Sequence, residues 1–437
     1  MEHTLPWAEP AWLGSLDSPY YNDSHRRLQA YARKFYENII PHMLEWEENG
    51  DVPAWAREAY LKSGLALLDV PKEYRPAGTN TEVAGIPLEE LDIFHRLILT
   101  DEGSRVEGGV GVALSGGANV IGLPPVLNHG TDAQKRRWLP GLFEGKVNFC
   151  LGITEPSGGS DVSNIKTTAK KRKGAEADGS SHYYVVNGTK KWITGSPWAT
   201  HMTTAVRTGG PGIRGISLLV IPLSSPGVSV QKIANSGQKA GGSSWVRMSD
   251  VEVPADHLIG AENAGFKYIM SNFNSERFVM AVGCNRKART CLNTALAYAY
   301  ERETFGVPLV AHQVIRHKIV HLAREVEAHW ARVEQIAYHI KMNGWQQQGG
   351  SDIAGPIAMA KITGGRILEA AAREAQQVMG GVAYQRDGPG GGGRVEQITR
   401  DLRMMVVGGG SEEILGDLAF REEVKAAKRK AKAKANL

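Results

Sequence analysis

The spacing of apolar residues changes twice along the chain, and these two changes limit the folds that its 437 residues can adopt. Residues 25–147 repeat apolar side chains at helical spacing, as Leu28 and Phe35 do in the first such segment. Residues 148–262 contain short β-branched and aromatic runs separated by turn residues, which is typical of an antiparallel barrel or sandwich. Long helical patterns return in 263–423. The expected fold class is therefore α+β, with a helical amino-terminal domain, a central antiparallel β-domain and a carboxy-terminal bundle of long helices.

Individual elements follow from the same patterns. The predicted helices after the first are 55–63, 87–101, 110–119, 132–142, 266–302, 313–342, 353–378 and 395–405. The predicted strands are 183–186, 191–194, 202–206, 216–221, 228–233 and 245–253. Asn187-Gly188 separates the first two strands, and because both residues tolerate positive φ, the pair predicts a tight hairpin turn. Residues 1–24 are expected to form an irregular extension before any packed element, and 424–437 a basic tail.

Positive charge is concentrated at the carboxy terminus. The formal net charge is +5, but six Lys and Arg residues lie in the last thirteen positions, and the rest of the chain carries −1. No basic stripe with interleaved aromatic residues remains outside the tail, which argues against nucleic acid as the main partner. The tail itself is expected to be a solvated, frayed end.

Cysteine content and the two termini indicate an intracellular protein. Cys150, Cys284 and Cys291 form no CxxC pair and are odd in number, so we expect reduced core residues rather than disulfides. No run of about 18 apolar residues predicts a membrane span, and the start of the chain matches neither a transit peptide nor a secretory signal. The ending Asn436-Leu437 weakly resembles a peroxisomal Ser-Lys-Leu signal, so the expected location is the cytoplasm, with the peroxisome as the alternative.

Glu276 occupies a position where helical spacing predicts a core residue. Counting from Ile269, Glu276 lies seven residues on and Met280 eleven, which places them on one helix face. Burial disfavours the charged carboxylate and raises its pKa, so an acid on that face is either paired with a cation or placed to accept a proton. The neighbouring Arg277 offers an ion pair, and the helix pattern alone favours that explanation.

Several common motifs are absent or lack their structural context. Gly388, Gly390 and Gly393 formally satisfy GxGxxG, but no buried strand precedes them, and Pro389 with its neighbouring glycines predicts a flexible loop. The sequence contains no GxxxxGK[ST], HExxH or GxSxG motif and no Cys and His group at zinc spacing. Nucleotide hydrolysis by a P-loop, zinc proteolysis and serine hydrolysis are therefore unsupported, and no metal ligand is predicted.

Two segments contain the chemical groups of a cofactor site. In 151–162 small residues free the backbone amides, and Thr154 and Ser160 add hydroxyl groups. Trp192 supplies an aromatic plane beside the hydroxyl group of Thr194. These groups suit a flat heterocycle with a phosphate tail, although an ordinary loop and a core tryptophan would give the same pattern.

The ordered motifs resemble those of the acyl-CoA dehydrogenases from about residue 25 to residue 423. They are Thr154-Glu155-Pro156 with Gly158-Gly159-Ser160-Asp161, Lys191-Trp192-Ile193-Thr194, Arg302-Glu303-Thr304-Phe305-Gly306, His312-Gln313, Gln377 with Gly380-Gly381, and Arg400-Asp401 leading to Gly410-Ser411-Glu412-Glu413-Ile414. The sequence departs from the family at Asn164, where a small residue is usual, and in the longer glycine run after Asp387. The resemblance implies an acyl-CoA dehydrogenase-like fold, in which the central domain is an antiparallel β-barrel and the carboxy-terminal domain a four-helix bundle. It also implies a homodimer or homotetramer.

The resemblance also implies FAD as the cofactor and assigns residues to it. Those expected at the isoalloxazine and ribityl portions are Thr154, Gly159, Ser160, Trp192 and Thr194. Those expected at the diphosphate and adenosine of a flavin bound mainly by the neighbouring subunit are Arg302, Phe305, Gln313, Gln377, Gly380 and Gly381, and Ser411 and Glu413 complete the cofactor edge. Ser160, Arg277 and Gly410 would bind the acyl-CoA substrate. Taken singly, several of these residues also have a structural explanation as helix-end residues.

The resemblance places the catalytic base in the less common of two positions. Many relatives carry a glutamate two residues before the Ser or Thr of the last motif, and here that residue is Gly409. A second group, which resembles the isovaleryl-CoA and long-chain dehydrogenases, carries its glutamate on a bundle helix directly before an arginine, as in Glu276-Arg277. The implied catalytic residues are therefore Glu276 as the base and Gly409, whose backbone amide would stabilise the enolate oxygen.

The implied reaction is α,β-dehydrogenation of an acyl-CoA thioester to a 2-enoyl-CoA in fatty acid or branched acyl metabolism. Glu276 would take the α-proton and flavin N5 the β-hydride, with an electron-transfer flavoprotein as a candidate acceptor. Two alternatives remain open: an acyl-CoA oxidase or monooxygenase on the same fold, and a non-catalytic binding or assembly protein. Oxygen consumption would indicate the first, and a colourless protein that ignores acyl-CoA would indicate the second.

Overall fold

The computed structural model describes residues 5–14, 16–174, 182–345 and 353–435, which form two compact units. The first unit comprises Met1–Leu44, Ala84–Gly108 and Asn274–Leu437, and the second comprises Glu45–Val83 and Gly109–Phe273. Each unit draws on separate stretches of the chain, because helices of the amino-terminal third pack with carboxy-terminal helices in the first unit. The linear division into residues 1–24, 25–147, 148–262, 263–423 and 424–437 stays a prediction.

Each predicted helical segment contains a helix, but three of the described helices, Met43–Asn49, Pro124–His129 and Glu412–Ala435, were not predicted. The helices are α1 Asp23–Ile39, α2 Met43–Asn49, α3 Ala54–Lys62, α4 Ile93–Gly103, α5 Val110–Leu114, α6 Asn119–Gly122, α7 Pro124–His129, α8 Asp132–Phe143, α9 Gly265–Glu301, α10 Gln313–Asn343, α11 Ala354–Met379, α12 Gly392–Val407 and α13 Glu412–Ala435. The predicted helix 110–119 is divided in two, because Gly116 and Gly117 both have positive φ. No helix in the described part of the chain combines the length and apolar character needed to cross a membrane.

The basic tail continues a helix. α13 runs through the described part of the tail as far as Ala435, so the prediction of a frayed end is wrong there. Lys425, Lys428 and Lys432 are exposed, as expected for a solvated segment. Cations in the last turns of a helix complement the negative end of its dipole, which gives a physical reason for helix continuing into this segment. The terminal residues Asn436 and Leu437 lie outside the described residues.

The strands follow the predicted series with one important difference. They are β1 Glu82–Val83, β2 Ile86–Pro87, β3 Phe149–Gly152, β4 Thr168–Lys173, β5 His182–Ile193, β6 His201–Arg207, β7 Ile216–Pro222, β8 Val228–Lys232, β9 Ser244–Pro254, β10 Leu258–Ile259, β11 Glu303–Thr304 and β12 Val307–Pro308. Among the described residues, one sheet has the order β10-β7-β6-β4-β5-β9-β8, with β3 beside β6. The pairing is antiparallel except that β3 and one residue of β4 run parallel to β6.

The predicted hairpin at Asn187-Gly188 is wrong. β5 continues through both residues and pairs with β4 on one side and β9 on the other. The register against β9 shifts between Val186 and Gly188, where Ser249 and Asp250 of β9 oppose Asn187, so the extra residue of the bulge lies in β9 and β5 runs straight through the Asn-Gly pair. A Cβ atom on Gly188 would lie 2.5 Å from Thr167 Oγ1, and Asn187 Nδ2 donates to Asp250 Oδ1 at 2.8 Å. Gly188 is therefore explained by close packing against Thr167, and Asn187 by its side-chain hydrogen bond, rather than by a turn.

Both faces of the sheet carry a buried core within the second unit. In β7 the side chains of Leu218 and Val220 pack in the core that contains Trp138 of α8. The alternate side chains of Leu219 and Ile221 pack in a second core on the other face. Since both faces are covered, β7 reads as a continuous apolar run rather than an alternating one.

Helices α9, α10 and α11 form the main core of the first unit. Cys284 and Cys291 of α9 are buried there beside apolar residues of the other two helices. Cys150 is buried in the second unit, and all three cysteines are free thiols, as predicted. Phe94 and Leu97 of α4 pack against Trp330 of α10, which explains why this amino-terminal helix belongs to the first unit.

The described part of the amino-terminal extension is mostly irregular and packs against its own unit. Arg289 Nη1 donates to the carbonyl oxygens of Trp7 and Glu9, each at 2.9 Å. Arg286 Nη2 lies 3.2 Å from a Glu9 carboxylate oxygen. The Trp12 ring stacks on Tyr21 with centroids 4.0 Å apart. Polar and aromatic contacts therefore hold the described part of this extension against its own unit.

Candidate active site

A turn in the second unit contains the first predicted cofactor segment. Glu155 N donates to Gly158 O, and Gly158 N donates to Glu155 O, each at 3.1 Å, which closes the turn. Gly159 and Ser160 follow it and are exposed. Asn164 Nδ2 donates to the Asp161 carboxylate at 2.6 Å, so the residue that departs from the family pattern stabilises the end of this segment.

A buried ion pair holds this turn from behind. Lys190 Nζ donates to Glu155 Oε1 at 2.8 Å and to Ile153 O at 3.0 Å, and both ionic side chains are buried. Burial lowers the pKa of Lys190 to about 8, although Glu155 opposes this change. Burial alone would raise the pKa of Glu155, but Lys190 and neighbouring donors hold that pKa below its ordinary value. Sequence reasoning missed Lys190, whose partner lies 35 residues earlier.

The two predicted cofactor segments of the second unit meet. Lys191 N donates to Thr154 O at 2.9 Å, which joins the end of β5 to the first segment. The register against β9 shifts again between Lys190 and Ile193, and within this bulge Trp192 has a φ of +65°. A bulge redirects side chains, and the Trp192 ring is 50% exposed. Thr154 and Thr194 are both half-buried.

Glu276 lies on α9 in the first unit and is half-buried, so the predicted core position is wrong. Ile269 is buried, but Met280 is half-buried like Glu276, and the fully buried face of the helix carries Ala281 and Val282 instead. Although part of Glu276 is accessible, burial raises its pKa to about 8, while the Arg277 charge acts in the opposite direction. The charge of Arg277 therefore offsets only part of the effect of burial on the Glu276 pKa, and the choice between an ion pair and a base stays a prediction.

Arg277 connects Glu276 to the glycine turn that follows α12. The Arg277 side chain is buried, and its Nε donates to Gly409 O at 2.9 Å. Gly409 has a φ of +67°, and a Cβ atom there would lie 2.9 Å from Met280 Sδ, one helical turn beyond Glu276. In the described part of the chain the Gly409 N–H makes no hydrogen bond. The structure thus joins Arg277, the residue after Glu276, to Gly409, with Gly410 next in the chain.

A second buried cation reaches the same turn. Lys361 of α11 donates from Nζ to Gly410 O at 2.9 Å and also to Val406 O. Ser411 is half-buried and Glu413 is exposed at the start of α13. Sequence reasoning missed Lys361, although a charge on an apolar helix face is the same signal that singles out Glu276.

The residues predicted to bind a diphosphate and adenosine lie on the surface of the first unit. Arg302, Phe305, Gln313, Gln377, Gly380 and Gly381 are all exposed. β11 and β12 pair through a turn at Phe305-Gly306, where both residues have positive φ, and the Phe305 side chain is 96% exposed. A Cβ atom on Gly380 or Gly381 would meet nothing within 4 Å. These positions are therefore open to a ligand or to another chain.

The glycine run after Asp387 is compact, which contradicts the prediction of a flexible loop. Gly393 N donates to Gly388 O at 2.9 Å. A Cβ atom on Gly388 would lie 2.0 Å from Val382 O, and one on Gly391 would lie 2.6 Å from Thr294 Cγ2. Close backbone packing therefore requires glycine in this run, and the GxGxxG spacing does not indicate a phosphate site.

Three side chains that the sequence did not single out place possible metal ligands within 4.8 Å of one another: His25, Asp92 and His95. Nδ1 of His25 accepts a hydrogen bond from the backbone N–H of Asn22, and Nδ1 of His95 accepts one from the backbone N–H of Asp92, each at 3.1 Å. Lys341 Nζ donates to Asp92 Oδ2 at 2.7 Å. The group is explained by capping of α1 and α4, and we assign no metal to it.

Comparison with known proteins gives consistent matches along most of the chain. The acyl-CoA dehydrogenase N-terminal, middle and C-terminal domain models match residues 22–146, 150–251 and 263–422. Acyl-CoA dehydrogenase apdG of Emericella nidulans is 41% identical over 430 residues, covering 97% of this chain and 96% of the relative. Mitochondrial isovaleryl-CoA dehydrogenase of Oryza sativa subsp. japonica is 28% identical over 418 residues, covering 94% of each. The crystal structure of acyl-CoA dehydrogenase from Geobacillus kaustophilus gives a TM-score of 0.80 at 27% identity, covering 93% of this chain and 99% of that one.

Proposed function

Because this chain belongs to the acyl-CoA dehydrogenase family of FAD-dependent oxidoreductases, we propose that it converts an acyl-CoA to a 2-enoyl-CoA with Glu276 as the base. The observation that carries the proposal is the contact between Arg277 and Gly409. This contact joins Arg277, which directly follows the possible base Glu276, to Gly409, which occupies the other possible base position. A single acid at Glu276 can therefore serve the site that relatives of the commoner type serve from the position of Gly409.

The raised pKa of Glu276 suits removal of an α-proton. A general base works best when its pKa lies near the operating pH, and burial raises the pKa of Glu276 to about 8. The enolate oxygen that forms needs a hydrogen-bond donor already in place. The Gly409 N–H makes no hydrogen bond in the described residues, while the Gly409 carbonyl is held by Arg277. We assign the amide to the enolate oxygen and Arg277 to ordering this turn, and Gly410 and Ser160 to contact with substrate.

The residues assigned to FAD fit such a group. Trp192 is half exposed on a bulge, and Gly159 and Ser160 are exposed in the first cofactor segment. Space is open at Gly380 and Gly381. We propose that the flavin ring lies against Thr154, Gly159, Ser160, Trp192 and Thr194, and the diphosphate and adenosine against Arg302, Phe305, Gln313, Gln377, Gly380 and Gly381, with Ser411 and Glu413 at the cofactor edge. When bound, FAD accepts the hydride from the β-carbon.

Assembly and electron transfer are further parts of the proposal. We propose a homodimer or homotetramer in which subunits share the flavin, with the exposed Phe305 ring at the shared adenosine end. An electron-transfer flavoprotein is the proposed acceptor. The cytoplasm is the proposed compartment, with the peroxisome as the alternative.

The direct test is anaerobic mixing of purified holoenzyme with a panel of acyl-CoA thioesters of different length and branching. We expect wild type to lose flavin absorbance rapidly and Glu276→Gln to do so about 10²–10⁴-fold more slowly, because a positioned base contributes that factor. Glu334→Gln is the matched control, since burial also raises the pKa of Glu334, which accepts hydrogen bonds from Tyr21 and Trp330.

Two results would change the proposal. A wild-type rate in Glu276→Gln would remove Glu276 as the base. The second result concerns oxygen: repetition in air should give little hydrogen peroxide from a dehydrogenase, and peroxide formed at the rate of flavin reduction would replace the dehydrogenase with an oxidase.

A further inference from the structure

Lys361 is a buried lysine whose ammonium group is bound by backbone carbonyl groups. It lies among buried residues of α11 and is 1% exposed. Its Nζ donates to Val406 O and to Gly410 O. Within the described residues no carboxylate lies within salt-bridge distance of Nζ, so carbonyl dipoles provide its nearest stabilisation. Because burying an ammonium group is costly and an apolar side chain would fill the same space, the two carbonyl contacts require an explanation.

The two contacts lie on either side of the glycine turn. Val406 belongs to the last turn of α12, where carbonyl groups lack an intrahelical partner and the helix dipole attracts a cation. Gly410 lies after the turn. A single ammonium group therefore connects the segment that enters the turn to the segment that leaves it, across Gly408 and Gly409.

The peptide between these contacts carries the proposed enolate donor. Gly408 N donates to Met404 O at 2.9 Å, and Arg277 Nε donates to Gly409 O. The peptide planes before and after the Gly409 N–H are thus each fixed by a hydrogen bond, and Lys361 fixes the segments beyond them. Three successive glycines have unusual backbone freedom. Restraint from both sides is what a donor needs if it is to require no reorganisation during reaction.

We propose that Lys361 is a positioning residue that holds the turn of Gly408, Gly409 and Gly410 so that the Gly409 amide points at the reacting thioester oxygen. The inference rests on the proposed function, because it assumes that Gly409 is the donor and Glu276 the base. Lys361 itself touches neither substrate nor cofactor in this mechanism. Its loss should lower the rate of proton removal while leaving acyl-CoA binding almost unchanged.

The test is the exchange of substrate α-hydrogen for deuterium in deuterated water, followed by mass spectrometry on full-length holoenzyme. This exchange reports removal of the α-proton without requiring net oxidation. We expect Lys361→Met to slow exchange about 10–100-fold, less than the loss of an entire oxyanion donor, with KM and the acyl-CoA dissociation constant within about threefold of wild type. Lys361→Gln, which keeps a donor without the charge, should fall between the two.

Lys287→Met is the matched control. Lys287 is also buried in the first unit and donates to Ser104 O at 3.3 Å and Val106 O at 3.0 Å, neither of which belongs to the glycine turn. Unlike Lys361, it also lies 3.8 Å from a carboxylate oxygen of Glu107. We expect its exchange rate to stay within about twofold of wild type, because its contacts do not orient the donor. Equal slowing in Lys287→Met and Lys361→Met would overturn the positioning role.

The remaining outcomes separate this inference from the proposed function. If Glu276→Gln abolishes exchange and Lys361→Met leaves it unchanged, the inference is overturned and the proposed base stands. If Glu276→Gln exchanges at the wild-type rate, the proposed function itself fails. If both Lys361 variants fail to fold while Lys287→Met folds, Lys361 is a stability element and the positioning role is overturned.

Discussion

Arg277 donates from Nε to the carbonyl oxygen of Gly409 at 2.9 Å, across a sequence separation of 132 residues. The hydrogen bond links α9 to the turn that follows α12. Under the proposed function it also accounts for glycine at position 409: the turn is fixed by a neighbouring cation, and the residue that precedes that cation is the proposed base. The site therefore depends on two segments that are distant in sequence.

The pKa of Glu276 predicts the pH dependence of proton removal. Since Glu276 must be deprotonated to act, and burial raises its pKa to about 8, kcat/KM for flavin reduction should rise with pH and level off above about pH 8. Stopped-flow measurements between pH 6 and pH 10 would check this. A profile that is already flat at pH 6 would contradict a raised pKa in the free enzyme.

The same shift predicts how stability depends on pH. The folded pKa of about 8 exceeds the unfolded value of 4.5, so the folded state holds the proton more tightly between these limits. The contribution of Glu276 is fully present below pH 4.5 and is lost as pH rises towards 8. Chemical denaturation should therefore show that Glu276→Gln gains stability relative to wild type from pH 5 to pH 9. If the difference in stability between Glu276→Gln and wild type stays constant across this range, the result counts against the raised pKa.

Gly409→Ala should destabilise the protein by about 1–2 kcal/mol because φ is positive there, with a further cost from the close approach to Met280 Sδ. Gly416→Ala is the control, since a Cβ atom at this helical position meets nothing within 4 Å, and alanine should be neutral or stabilising. Urea denaturation of both variants measures the difference. For the same steric reason, Gly409→Glu on the Glu276→Gln background should not restore wild-type activity, and full recovery would contradict this account.

Lys190→Met should lower the free energy of unfolding by about 3–5 kcal/mol, because it leaves Glu155 buried beside no ammonium group. The double variant with Glu155→Gln should lose less than the sum of the single variants. Urea denaturation of all four proteins completes the cycle, and absorbance of retained flavin reports on the turn. Simple additivity would show that the two side chains are not coupled.

Local patterns predicted the long helices well, because their apolar spacing persists over many turns, and α9 to α11 begin and end within one or two residues of the expected positions. The turn prediction at Asn187-Gly188 failed because strand pairing on both sides and close approach to Thr167 keep this pair within a continuous strand. The glycines after Asp387 were predicted to form a flexible loop, and that prediction failed because close packing against Val382 requires glycine there. Both errors arise from tertiary contacts that a local pattern does not contain.

Sequence motifs identified the candidate site residues, but they gave less information about the side chains that hold those motifs in place. Glu276 stands out as a charge on an apolar helix pattern. Lys190 acts through Glu155, and Lys361 acts through carbonyl groups 45 and 49 residues away. Backbone acceptors leave no signature in sequence, so the contacts that order the turn became visible only in the structure.

The packed amino-terminal segment imposes an order on events during synthesis. Glu9 lies 277 residues before Arg286, to which it is bound in the folded protein. At about 5–20 residues per second, a ribosome needs roughly 15–55 s to supply this arginine after Glu9 has been made. Glu9 is therefore among the residues whose final contacts form late, and Trp12 must remain without its complete surroundings throughout that interval.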